Sequence, residues 1–266
     1  MATKLGNNTR TLPREMMGHT YAIFFEQEES HWWYVGRRRI IRGFVQEICG
    51  QIDKRDPQIL DVGCGTGANL LMLSELGEAE GVDISPQAIA FCQARGLSKV
   101  RLGAAEALPY DDNHFDLVTA LDVVEHLDDD VGALREMRRV IRPGGRLLLF
   151  VPTFMFLWGL QDEVSNHRRR YRLAELRRAV VAAGFEIERT TYANITFFVP
   201  TLIVRQVMRL TGLSADSEVG INIKALNRLF AWIFGSERRL LRVLNFPFGV
   251  SGICVARRAE ERRLAD

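Results

Sequence analysis

Cysteine is scarce in this sequence, with 4 in 266 residues. Cys49, Cys64, Cys92 and Cys254 are widely scattered and no two form a C-x-x-C pair. That excludes a disulfide framework or a cysteine-based zinc site as the organising principle. Long apolar runs are also missing. The best candidate, Ile195 to Val204, is interrupted by Pro200 and followed by Arg205, well short of the ~18 residues a spanning helix needs. Met1 to Arg14 has no apolar segment of the kind a secretory leader carries, so a cytoplasmic location is expected. No charge sign dominates. At a net charge of +2, a nucleic-acid binder with one strongly basic face is not expected.

What is present is ordinary globular composition, 47% hydrophobic and 26% charged, with length for one large domain or a domain plus a lobe. The charge is unevenly placed. Residues 56–135 carry 15 acidic and 4 basic side chains, and the flanking segments are basic.

From residue 58 onward, short apolar runs alternate with amphipathic ones. Gln58 to Val62, Ala79 to Asp83, Lys99 to Leu102, Phe115 to Leu121, Arg146 to Val151 and Phe185 to Tyr192 read as strands. Helices are expected over Ala68 to Leu76, from Ser85-Pro86, over Asp128 to Val140 and over Leu173 to Ala183. Such alternation predicts an α/β fold: a Rossmann-like, seven-stranded, mostly parallel sheet with helices on both faces. A helical insertion precedes the last strand. The expected organisation is an N-terminal helical lid segment over 1–55 and a core over 56–194. The insertion spans 195–247, the last strand 248–258 and a tail 259–266.

The segment Ile59-Leu-Asp-Val-Gly-Cys-Gly-Thr-Gly-Ala68 ends a strand, alternates three glycines and opens a helix. Glycine permits positive φ and close approach of a ligand to the backbone, and a helix N-terminus offers free N–H donors. The spacing is G-x-G-x-G after Asp61, not the G-x-G-x-x-G of nicotinamide-binding folds. Asp83 ends the second strand about 20 residues on, where a carboxylate can take both ribose hydroxyls. A helix cap is the competing role for it.

With LDVGCGTG at 60–67, GVDIS at 81–85, EALPYDDNHFDLV at 106–118, DVVEHL at 122–127 and RPGGRLLLFVP at 142–152, the chain resembles the class I S-adenosylmethionine-dependent methyltransferases. The matches keep the family's order and spacing over about 57–192. The resemblance implies roles. Asp61 and the backbone of Gly63 and Gly65 hold the methionine end, with Cys64 structural between them. Gly67 allows close helix packing. Asp83, with Ile84 beside it, takes the ribose. Ala105 and Glu106 lie beside the adenine, and the Leu121 backbone lies near the amino group. Many relatives carry Asp at the position of Ala104, so the adenine contact differs here. The stretch Asp162 to Tyr171 resembles a D-x-x-x-x-H-x-R-R-Y pattern of a bacterial subgroup with an HWWF-like start, matched by His31-Trp32-Trp33-Tyr34. That aromatic stretch is a candidate lid, with Arg38 near the cofactor carboxylate.

Methyl transfer from a sulfonium mainly needs alignment, and a hydroxyl acceptor also needs a base. Two histidines fall at the ligand edge of the sheet. His126 follows the fourth strand, where packing is its simpler role. His167 follows the fifth, with Asp162 as orienting partner and Arg169 or Arg170 for an anionic acceptor. No metal is expected. The insertion offers two amphipathic stretches, Thr196 to Leu210 and Leu226 to Leu244, rich in arginine. They suit a helical cap, a homodimer face or peripheral membrane contact. The expected activity is O-methylation of a small or lipid-linked metabolite by S-adenosylmethionine, releasing S-adenosylhomocysteine. The alternatives are C- or N-methylation of a small molecule, a nicotinamide-dependent oxidoreductase and a non-catalytic cofactor scaffold.

Overall fold

The structure, a computed structural model, describes residues 18–211 and 226–260. Two helices lead the chain, α1 (Gly18–Gln27) and α2 (Trp32–Cys49). The alternating unit follows as β1 (Gln58–Val62), α3 (Ala68–Leu73), β2 (Glu78–Asp83), α4 (Pro86–Ala94), β3 (Val100–Leu102) and β4 (Phe115–Leu121). A 3-10 turn over Val124–His126 leads to α5 (Asp130–Val140), β5 (Ile141–Pro152), α6 (Leu160–Val164), α7 (Leu173–Ala182) and β6 (Glu186–Ala193). Then come α8 (Phe198–Thr211), α9 (Asn227–Leu241) and β7 (Ser251–Arg257).

The sheet order is β3-β2-β1-β4-β5-β7-β6. β1 to β5 pair in parallel, and β7 runs antiparallel between β5 and β6. All seven residues of β4 are buried, which requires cover on both faces. One face packs Leu134, Met137, Leu176 and Val180 of α5 and α7. The other packs Ile40, Phe44, Leu70, Phe234 and Leu241 of α2, α3 and α9. Strand order reverses between β1 and β4, so the carboxyl ends of these strands open a crevice there.

Three details differ from the sequence expectation. α2 begins at Trp32, so His31-Trp-Trp-Tyr34 is the helix start, with His31 as N-cap accepting from the Trp33 N–H. Arg142-Pro-Gly-Gly145 sits within β5 instead of ahead of it. The β4–β5 register slips between Phe115 and Leu117, and Gly144 at φ +80° absorbs the extra residues. Within its described residues the insertion packs into the core. Phe234 of α9 is fully buried in the same core as α2. Between α8 and α9, residues 212–225 lie outside the described residues, as do the first 17 residues and 261–266.

Candidate active site

A cavity of about 280 Å³ opens at the carboxyl ends of β1, β4 and β5. Its floor is the loop between β1 and α3, including Gly63, Cys64 and Gly65. Gly65 has φ +55°, and a Cβ there would meet nothing within 4 Å, so its backbone faces open space. Gly67 has φ +88°, and a Cβ there would come within 2.7 Å of Leu97 Cδ1. Only glycine lets α3 start this close to its neighbours. Cys64 is buried with its sulfur 3.9 Å from Cys92 Sγ. Its thiol pKa is raised by that hydrogen bond and by burial, so it stays protonated and structural.

Two carboxylates brace the loop. Asp83 accepts from Gly65 N and Ser85 N, each at 2.9 Å. It therefore shapes the glycine loop and the entry to α4 together. Asp61 is 1% exposed beneath the loop, where it accepts from Thr119 Oγ1 at 2.7 Å. Burial pushes its pKa up to about 7.

The opposite wall comes from α1, α2 and the turn between them. Trp32, Trp33, Tyr34 and Arg37 line the cavity. Arg37 pairs with Asp122 at 2.7 Å and lies over the Phe150 ring at 4.8 Å. Asp122 ends β4 in the left-handed region at φ +60°, which aspartate tolerates better than most residues. Burial raises its pKa, against the pull of Arg37. Arg38, expected at this wall, instead reaches back to the Glu28 carbonyl at 2.7 Å. One step along a helix is about 100°, which turns Arg38 away from the side on which Arg37 meets Asp122. Glu28 completes the wall and accepts from Thr66 Oγ1. Arg95 ties the same turn to the loop through Thr66 O at 2.7 Å and Phe25 O at 3.2 Å.

At the third wall the turn after β4 meets the loop after β5. His126 and His167 lie with ring centroids 4.7 Å apart and nearly perpendicular. His167 Nδ1 is 2.7 Å from Asp162 Oδ1. Arg170 Nε donates to the same oxygen at 2.7 Å, and Gly159 N donates to Oδ2 at 2.7 Å. Burial works to raise the Asp162 pKa, but the His167 hydrogen bond and the Arg170 guanidinium outweigh it and hold the carboxyl at about 2. An anionic Asp162 fixes the proton of His167 on Nδ1 and leaves Nε2 as the lone pair. Burial and the neighbouring His167 push His126 down to about 3, so its ring is neutral. Glu125 is fully buried, and burial raises its pKa well above the usual range. Glu125, His126 and His167 offer ligand atoms within 4.8 Å of one another, the one such metal-capable group among the described residues.

The arginines of this loop act mainly as ties. Arg168 N donates to Glu125 O at 2.9 Å and its Nε to His126 O at 3.1 Å. Arg169 reaches Leu127 O at 2.9 Å and pairs with Asp130 at 3.3 Å. Tyr171 OH donates to Asp130 at 2.7 Å. This stapling sets His167 against the turn after β4. Arg169 is thereby used in the fold, while Arg170 and Arg205 line the cavity.

Of the residues expected from the sequence, the structure gathers Gly63, Cys64, Gly65, Leu121, His126 and His167 on the cavity, with Asp162 directly behind His167. Asp61, Gly67, Asp83, Ile84, Ala105 and Glu106 are outside the cavity wall. Ile84 is 37% exposed just after β2. Sequence reasoning missed Glu28, Arg37, Asp122, Glu125 and Arg205. Their partners come from distant elements, so spacing carried no signal.

S-adenosylmethionine, implied by the resemblance, brings two cations and one carboxylate. The donor set suits it: Glu28 and Asp122 face the cavity for the cations, Arg37 for the carboxylate, and the open Gly65 backbone for close approach. Asp83 stands behind that backbone, accepting from Gly65 N. Asp83→Ala is expected to weaken S-adenosylmethionine binding about 10- to 100-fold, the value of hydrogen bonds to a charged group. Isothermal titration of both proteins checks this, and unchanged affinity removes Asp83 from the site.

The chain is similar to known methyltransferases. A methyltransferase domain model matches residues 60–149. An uncharacterized methyltransferase of Bacillus subtilis is 34% identical over 129 residues, 45% of this chain and 49% of that protein. A ubiquinone/menaquinone biosynthesis C-methyltransferase of Azotobacter vinelandii is 31% identical over 198 residues, 60% of this chain and 77% of that protein. The chain thus spans about half the length of the first of these relatives and about three quarters of the second. The solved geranyl diphosphate C-methyltransferase of Streptomyces coelicolor shares the fold at a TM-score of 0.55 and 16% identity, over 82% of this chain and 78% of that one. With its sheet order, its glycine loop and a relative matched over most of its length, the chain belongs to the class I S-adenosylmethionine-dependent methyltransferases.

Proposed function

We propose that this protein transfers the methyl group of S-adenosylmethionine to a hydroxyl of an amphiphilic, lipid-linked acceptor at a cytoplasmic membrane surface. S-adenosylmethionine supplies a methyl already activated on a sulfonium. The residues of the chain align it and prepare the acceptor. The glycine loop and Arg37–Asp122 hold the methionine end, and His167, oriented by Asp162, activates the hydroxyl. Arg170 and Arg205 give the same cavity a cationic end suited to an anionic head group.

The observation that carries the acceptor class is the two-sided wall formed by α8. Thr201 and Arg205 face the cavity, while Val199, Ile203, Val207 and Leu210 are 54%, 56%, 47% and 85% exposed on its outer side. Met155 and Phe156, beside α8, are also exposed. Within the described part of 195–247 the acidic side chain is Glu237, buried on Asn194 N and Thr196. Arg209, Arg228, Arg239 and Arg242 are exposed. Exposed apolar side chains and exposed arginines on these helices fit an anionic bilayer. Among the described residues no helix is long and apolar enough to cross a membrane, so the contact is peripheral. The name of the Azotobacter relative, a quinone-pathway C-methyltransferase, supports a lipid-bearing acceptor and makes carbon the competing target atom.

Methyl-labelled S-adenosylmethionine, incubated with cell extract and the enzyme, tests the reading against an Asp83→Ala control. Label in the organic phase supports a lipid-linked acceptor, and label in the aqueous phase replaces it with a soluble metabolite. The surface is tested separately. The protein is expected to sediment with phosphatidylglycerol vesicles and not with phosphatidylcholine. Ile203→Asp with Val207→Asp should weaken sedimentation at least ~10-fold, because each apolar side chain contributes about 1.5–3 kcal/mol. If the same pair instead dissolves a homodimer and leaves sedimentation unchanged, α8 is a dimer face.

A further inference from the structure

We propose that Glu125, His126 and His167 form a binding site for a divalent cation of the zinc class, placed to hold the oxygen of the methyl acceptor. This deepens the reading above and rests on it: it specifies how His167 activates the acceptor. The sequence suggested that His167 takes a proton and that no metal is involved. The structure instead assembles two imidazoles and one carboxylate around a single point.

Four observations converge. The three side chains present ligand atoms within 4.8 Å of one another. Glu125 Oε1 and His167 Nε2 stand 3.9 Å apart, about 0.5 Å beyond the roughly 3.4 Å between two tetrahedral ligands of a zinc-class ion at about 2.1 Å each. A separation at the 4.8 Å bound of the set closes to that distance with a shift of about 1.4 Å.

Second, Glu125 is 0% exposed, and among the described residues neither of its oxygens accepts a hydrogen bond. A buried carboxylate without a donor is costly. A cation between it and the two imidazoles supplies the missing partner.

Third, His167 is held as a ligand imidazole is held. Its Nδ1 meets Asp162 at 2.7 Å, the carboxylate–histidine pairing that orients metal-bound rings and raises their basicity. Asp162 is itself fixed by Gly159 N and Arg170.

Fourth, the backbone enforces the meeting. Arg168 N bonds Glu125 O at 2.9 Å, and Arg168 Nε bonds His126 O at 3.1 Å. Two loops that are 40 residues apart in sequence are tied at the residues that carry the ligands.

Two nitrogens and one oxygen select zinc-class ions over magnesium or calcium, which favour oxygen ligands. Three protein ligands leave a position open, as catalytic sites do. His126 and His167 both line the cavity, so the open position faces the acceptor. A hydroxyl bound there loses its proton to water more readily. The oxyanion then forms the new O–C bond as the C–S bond breaks, and the electron pair leaves on sulfur.

The test uses tag-free, chelator-treated full-length protein titrated with Zn²⁺ by calorimetry and with Co²⁺ by visible absorption. The expected result is one ion per chain, with Co²⁺ bands of a four- or five-coordinate site. Glu125→Gln and His167→Gln should each weaken Zn²⁺ at least tenfold. Both should stay folded and keep the S-adenosylmethionine affinity of the wild type. Absence of stoichiometric uptake by the wild type, or equal uptake by Glu125→Gln, overturns the site and leaves His167 as a plain base. A protein that binds Zn²⁺ but not S-adenosylmethionine would instead refute the methyltransferase reading, so the two failures are distinguishable.

Discussion

Replacing His167 by Asn or Gln is expected to lower turnover about 10²- to 10⁴-fold, the range lost with a positioned acid–base group. S-adenosylmethionine affinity should stay near that of the wild type. The two substitutions separate orientation from chemistry. The Asn amide reaches the place of Nδ1 and can still donate to Asp162, which His167 meets at 2.7 Å. It offers nothing at the place of Nε2. Gln extends to the level of Nε2 but gives up the Nδ1 bond. If Nε2 does the chemistry, by taking a proton or by holding a cation, both variants lose turnover alike. If the ring matters only as a brace for Asp162, Asn remains active. Labelled S-adenosylmethionine with saturating acceptor measures this directly. Asn activity within about threefold of wild type would take His167 out of the mechanism.

The parts of this site legible in the sequence are those whose geometry is local. The glycine loop could be read because positive φ and an open backbone demand glycine at fixed positions, and Gly65 and Gly67 sit at φ +55° and +88°. Asp162 and His167 could be paired because they lie five residues apart in one loop, and they meet at 2.7 Å. β4 was legible because burial on both faces leaves an unbroken apolar run. Where partners are distant, the reading failed. Arg37 meets Asp122, 85 residues on, and nothing in its own neighbourhood distinguishes it from Arg38. Glu125 reads as one more acid in an acidic block, and only the fold reveals that it is fully buried beside His167. Arg169 and Arg170 read as anion binders. Arg169, like Arg168 before it, is spent on backbone carbonyls, those of Leu127 and His126, because a loop crossing the sheet edge must satisfy the backbone groups it meets. The start of α2 is not set by local preference, because two tryptophans and a tyrosine carry weak helix propensity. Packing of Trp32 against Phe197 at 4.5 Å and of His31 against Tyr34 decides the matter instead.

The largest effect on stability is expected at Asp162. Its carboxylate is 0% exposed, and Arg170 and Arg205, which share it, are 6% and 7% exposed. Asp162 Oδ1 takes both Arg170 Nε and His167 Nδ1 at 2.7 Å. Oδ2 takes Gly159 N at 2.7 Å, with Arg205 at 3.7 Å. Ala removes an anion that two buried guanidiniums share and opens the first turn of α6. Breaking a buried pair from one side costs about 3–5 kcal/mol, more than the intact pair contributes over an apolar substitute, because the remaining charge stays desolvated. For a chain of this size the loss corresponds to a fall in melting temperature on the order of 10 °C. Asn is the informative control. It keeps the shape and still accepts from Gly159 N and one neighbour, so it should lose clearly less than Ala. The order wild type, Asn, Ala in thermal denaturation identifies the hydrogen bonds and shape that Asn keeps as a large part of the effect, with charge as the remainder. Equal losses for Asn and Ala would mean that the charge alone matters, and a loss below about 1 kcal/mol for Ala would show that water reaches both arginines once the carboxylate is gone.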